Sequence, residues 1–97
     1  MARLRDDDAA RCGDLLERLR ALDGLTERSR GVFYWSSSPF LHFHGSGAEL
    51  VADLKVGDRW LRYDAAPVAA RRAIAVGARR VLTGTSTGLR GQPQAAR

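Results

Sequence analysis

The chain has 97 residues, 44% hydrophobic and 28% charged, and a formal net charge of +5. That length makes one domain with a modest core, and a single cysteine, Cys12, excludes an internal disulfide. The positive charge is local: residues 1–64 carry ten basic and eleven acidic side chains, whereas residues 65–97 carry six arginines and no acid.

The chain begins MARLRDDD, with no apolar run behind it. No secretory signal is expected, no segment is long enough to cross a bilayer, and a reducing, cytoplasmic location follows. Asp7 or Asp8 is placed to cap a first helix, and the acidic run suits the positive end of its dipole. Cys12, Leu15, Leu16, Leu19 and Leu22 then recur at helical spacing and form one apolar stripe. Gly13 weakens this helix by up to about 1 kcal/mol relative to alanine. Asp23-Gly24 ends it, with Gly24 suited to a left-handed position. Leu25 to Gly31 reads as a polar connector or a short irregular edge strand.

Strand-like alternation starts at Val32 and runs to Trp35 or Ser36. Ser37-Ser38 make a turn, and Pro39 fits the start of the next strand, Phe40 to His44. A turn at 45–48 leads to a strand from Glu49 to Val56. Gly57-Asp58 is a two-residue hairpin turn with glycine first, and Arg59 to Asp64 follows. Register is fixed by requiring the apolar faces to agree. A four-residue turn at 45–48 pairs Phe43 with Leu50, Leu41 with Ala52, and His44 with Glu49. The Gly57-Asp58 turn pairs Leu54 with Leu61, Ala52 with Tyr63, Asp53 with Arg62, and Lys55 with Trp60. Leu41, Phe43, Leu50, Ala52, Leu54, Val56, Leu61 and Tyr63 then share one face. Pro67 opens a last helix with Val68, Ile74 and Val81 on its apolar side. The fold class is α+β: a two-layer, four-stranded antiparallel meander covered on one face by an N-terminal and a C-terminal helix, in the order α-β-β-β-β-α. The domain spans residues 1–82, and residues 83–97, poor in apolar side chains, read as a disordered tail.

The face away from the helices carries His42, His44, Asp53, Lys55, Trp60 and Arg62, and by alternation also Phe33, Trp35, Phe40 and Val51. That much aromatic area on a sheet face suggests an interaction surface. Trp35, Phe40, His42, His44, Asp53, Lys55, Trp60 and Arg62 are the candidate ligand or partner residues. His42 and His44, two apart on a strand, offer two nitrogens to a metal, with Glu49 as a third ligand and Asp53 orienting an imidazole. The competing reading makes both histidines half-buried, hydrogen-bonded sheet residues. No nucleophile stands out: Ser36, Ser37 and Ser38 are turn formers, Cys12 belongs to the apolar stripe, and no nucleophile-elbow motif is present. Gly45-Ser46-Gly47 and the Gly84 to Gly88 stretch lack the pattern of a phosphate loop. The composition implies no cofactor. Arginine and alanine richness looks like the codon bias of a high-GC genome, so nucleic acid is disfavoured as a partner.

Three stretches, LLERLRALDGLTERSRGVFYW, FLHFHGSGAELVADLKVGDRW and the Ala/Arg-rich last helix, carry a resemblance. Over Leu15 to Leu82 the chain resembles a group of small, uncharacterised actinobacterial proteins with a GVFY…FLHFH…ADL core. Leu41-His42-Phe43-His44 and Ala52-Asp53-Leu54 are the matching segments. A looser likeness, over His42 to Leu54, is to a small bacterial domain that bears the name "luciferase". The resemblance implies the fold and no established reaction. Relatives place an acidic pair after the second histidine, where this chain has Gly45-Ser46. The expected function is a cytoplasmic binding or interaction module that uses its aromatic and histidine face, self-associates, and takes a small-molecule or protein partner. The alternative is a metal-dependent enzyme with a His-X-His site.

Overall fold

A computed structural model describes residues 4, 6–12, 14–46, 49–84 and 92–93, with backbone alone at 46, 49, 92 and 93. The alternating stretch folds into five consecutive antiparallel strands: β1 (Leu25–Ser29), β2 (Val32–Trp35), β3 (Ser38–Ser46), β4 (Glu49–Val56) and β5 (Arg59–Asp64). The meander therefore has one strand more than the expected four. Leu25–Ser29 alternates half-buried and exposed positions and pairs with β2 through a bulge near Arg28. Of the two readings left open for Leu25 to Gly31, connector or short irregular edge strand, the edge strand is the one that forms, polar because an edge needs only one covered face. A two-residue strand, β6 (Gln92–Pro93), pairs with β5 at Arg62 and Leu61. Positions 85–91 and 94–97 of the expected tail lie outside the described residues.

The β4–β5 register is the one read from the turn: Ala52 faces Tyr63, Asp53 faces Arg62, Leu54 faces Leu61 and Lys55 faces Trp60. Gly57 holds φ at +65°, which its lack of a Cβ allows. Between β3 and β4 the faces are as expected but the pairs are not. Leu41 faces Leu54, His42 faces Asp53, Phe43 faces Ala52 and His44 faces Val51. The pairing runs on to Ser46 and Glu49, two residues of β3 further than expected. A shift of two keeps every side chain on its face, so alternation does not detect it.

The first helix is two short ones, α1 (Asp6–Arg11) and α2 (Leu15–Arg20). Between them the Leu15 N–H bonds to the Cys12 carbonyl at 3.1 Å, a tight turn that re-aims the chain. Asp8, expected as a cap, lies inside α1 and is buried. Cys12, Leu15, Leu16 and Leu19 are buried as the stripe predicts. Arg20, in the last turn of α2, holds Glu27 of β1, and Glu27 also accepts the Gly31 N–H at 2.9 Å. Burial pushes the Glu27 carboxyl up, but these hydrogen bonds bring it below its ordinary value. Helix α3 (Val68–Leu82) follows Pro67 and buries Ile74, Gly77 and Ala78. Val68, expected on its apolar side, is 75% exposed. It precedes the part of α3 that the core reaches. Arg71 donates to the carbonyls of Ala65 and Ala66 at 3.1 and 2.6 Å, which ties α3 to the end of β5.

The helices pack on one face of the sheet. Leu41, Phe43, Leu50, Ala52 and Leu54 share one cluster with Leu15, Leu16, Leu19, Ile74 and Ala78. Phe33 joins them: it pairs with Leu41 and is fully buried, so it lies on the core face and not the outer one. No helix is long and apolar enough to cross a membrane among the described residues.

Candidate functional site

The other face of β3, β4 and β5 carries the residues singled out by alternation. Asp53 is at its centre, paired in register with His42 on one side and Arg62 on the other. It is 1% exposed although no helix covers it. Its neighbours do the covering. Arg62 donates from Nε to Oδ1 at 2.9 Å and from Nη2 to Oδ2 at 3.2 Å, while His44 Nε2 lies 2.8 Å from Oδ2. Burial would raise the Asp53 carboxyl. The hydrogen bonds from His44 and Arg62, with the guanidinium charge, outweigh it and hold the group at about 2. An ionised Asp53 accepts, so His44 Nε2 carries the proton and Nδ1 is the ring nitrogen left for another partner.

The remaining side chains form a continuous aromatic surface beside this ion pair. His42 lies against Trp60 with ring centroids 4.9 Å apart, and 6.1 Å from His44 with the rings near perpendicular. Lys55 extends over Trp60 with Nζ 5.8 Å from the ring centroid, at the outer limit of a cation–π contact. His42, His44, Val51, Lys55, Trp60 and Arg62 are all half-buried. Thus His42, His44, Asp53, Lys55, Trp60 and Arg62 come together as one surface.

Two expected members sit differently. Phe40 is the extra residue of a bulge, between the pairs Phe33–Leu41 and Tyr34–Pro39. It is 2% exposed and belongs to the core cluster, so it does not offer open surface. Trp35 is 36% exposed and packs its ring edge-on against Phe40, centroids 5.6 Å apart. The bulge, invisible to a strict period of two, moves both away from the positions alternation assigns. Glu49 pairs with Ser46, not with His44, and its side chain lies outside the described residues. Among the described residues no three His, Cys, Asp or Glu side chains are grouped to hold a metal ion. Cys12 is fully buried, and burial pushes its thiol up despite Arg71 nearby.

Sequence reasoning missed the depth of Asp53. Its register partner Arg62 was the available signal, since a carboxylate facing an arginine in mid-sheet invites a bidentate pair. No family model, curated protein or solved structure matches the chain.

Proposed function

We propose that this chain is a binding module that pairs with a second copy of itself through the open face of β3, β4 and β5. The observation that carries this reading is the half-buried aromatic surface of Trp60 and His42, with Val51 beside it, on the face without helices. Three further features support it. A 97-residue chain has a modest core and gains much from association. The Asp53–Arg62–His44 network pairs the buried carboxylate at the centre of the face, so covering the face strands no negative charge. A two-fold contact needs one surface complementary to itself, and this face carries both the aromatic plane and the cations Lys55 and Arg62 that pack on such planes. The FLHFH and ADL segments of the actinobacterial resemblance fall on β3 and β4, the same two strands.

Light scattering tests the reading. The wild-type chain at roughly 100 μM, far above a micromolar dissociation constant, is expected to show twice the monomer mass. Trp60→Ala is expected to return it to the monomer with an unchanged circular dichroism spectrum, because aromatic anchors carry about 2 kcal/mol or more at an interface. A monomeric wild type, or a Trp60→Ala dimer as tight as the wild type, overturns the proposal.

One observation favours a second reading. The hydrogen bond from His44 Nε2 to the buried Asp53 is the arrangement that orients a metal-binding or proton-transferring imidazole. His42 and His44 would then supply two nitrogens of a metal-dependent enzyme. Elemental analysis decides between them: stoichiometric metal, lost in the double change His42→Ala and His44→Ala, puts the enzyme first.

A further inference from the structure

The β2–β3 turn, Ser36-Ser37, and the β4–β5 turn, Gly57-Asp58, stand at the same end of the antiparallel sheet. Between them lies a cleft of about 300 Å³, lined by Trp35, Ser36, Ser38, Pro39, Phe40, Lys55 and Gly57. At roughly 30 Å³ per water, it holds about ten waters, or a ligand of about ten non-hydrogen atoms. We propose that this cleft is a binding site for a small aromatic monocarboxylate. The proposal goes beyond self-association and does not rest on it.

Four observations select that chemistry. First, one wall is aromatic. The Trp35 indole, backed by the buried Phe40 ring, stands beside the Pro39 ring, and a planar body stacks on such a surface. Second, the indole has a backing. Trp35 meets the buried Phe40 ring edge-on at 73°, centroids 5.6 Å apart, which supports one side of the aromatic wall. Third, the cleft holds a single cation, Lys55, the only lysine in a chain whose other fifteen basic residues are arginine. Among the described residues no ion pair includes Lys55, whose Nζ lies 5.8 Å from the Trp60 ring centroid. A half-buried ammonium beside apolar walls favours an anion. One compact cation with the hydroxyls of Ser36 and Ser38 matches one carboxylate. A phosphate dianion would leave excess negative charge beside the apolar wall, since Lys55 is the one cation among the lining residues. Fourth, the rim is set by a tight turn. Ser36 and Ser37 hold φ at +51° and +69°, as a two-residue hairpin loop requires, and this sets Ser36 and Ser38 at the edge of the cleft.

The test uses the full chain and two probes of one shape, phenylacetate and the neutral phenylacetamide. The two indole N–H signals in a ¹H–¹⁵N spectrum are assigned with Trp60→Phe. Phenylacetate is expected to move the Trp35 signal saturably with a dissociation constant of about 1 mM, and phenylacetamide to bind at least about tenfold more weakly. Lys55→Met is expected to abolish the difference between the probes, and Lys55→Arg to restore part of it. Equal binding of the two probes by the wild type, or no shift at Trp35 up to about 10 mM phenylacetate, overturns the proposal. That comparison is made on the wild type, with Trp60→Phe needed only to assign the signals, and reads Trp35, whereas the self-association test reads mass and Trp60.

Discussion

Asp53 is 1% exposed, yet no helix lies over it, and it stays charged. A carboxylate this deep survives ionised only if its oxygens are saturated by donors, and Arg62 and His44 supply three contacts. The consequence for stability has a definite sign. The folded carboxyl sits at about 2 against an ordinary 3.8, so the folded state holds its proton less tightly than the unfolded chain. Its contribution, on the order of 2 kcal/mol, is present in full above about pH 4 and disappears as pH falls through 2. Urea unfolding across that range is expected to show the wild type losing more stability on acidification than Asp53→Asn does. Parallel slopes for the two proteins would mean that the native network does not hold Asp53 charged.

At the scale of elements, the seating of α1 on β3 depends on one missing methyl group. A Cβ on Gly45 would fall inside the Asp8 carboxylate, which is buried with Arg11 3.4 Å away. Gly45→Ala is therefore expected to displace Asp8 and α1, at a cost of about 1–3 kcal/mol. Thermal melting should register this as a drop of several degrees, at about 4–8 °C per kcal/mol for a domain of this size. Combining it with Asp8→Ala should cost less than the sum of the two single changes, because the clash is gone. Strict additivity would show that α1 does not rest there. Other elements were legible to different degrees. The Gly57-Asp58 turn gave the β4–β5 pairs correctly because a two-residue loop admits one register. The Gly/Ser/Ala turn before Glu49 admits several, and β3–β4 pairs two residues away from the expected alignment. The Cys12 to Leu22 stripe revealed a helix but not the turn at Cys12 that divides it.

At the scale of the whole molecule, the radius of gyration of 12.2 Å is that of a compact domain of about 100 residues, and the described helices pack on one face of its sheet. If that face pairs with a second copy, association stabilises the folded chain by mass action. The melting temperature of the wild type is expected to rise with protein concentration across a hundredfold range, and that of Trp60→Ala to stay level. A wild-type melting temperature independent of concentration would show that folding and association are uncoupled.

Sequence alone determined which side chains share a face from Leu41 to His44 and along β4 and β5, but misplaced Phe33 and Phe40. Alternation over β3, β4 and β5 placed Leu41, Phe43, Leu50 and Leu54 under the helices, with Leu61 paired to Leu54, and His42, His44, Asp53 and Trp60 opposite them. It did so because face parity is a local property of an extended chain, repeated every two residues. Only the tertiary structure decided who touches whom. The shift of two in β3–β4 moved Glu49 away from His44, the bulge at Phe40 buried that ring, and the meeting of two distant turns made the Lys55 cleft. Each of these depends on contacts between residues far apart in the chain, set by register, bulges and packing, to which a period of two is indifferent.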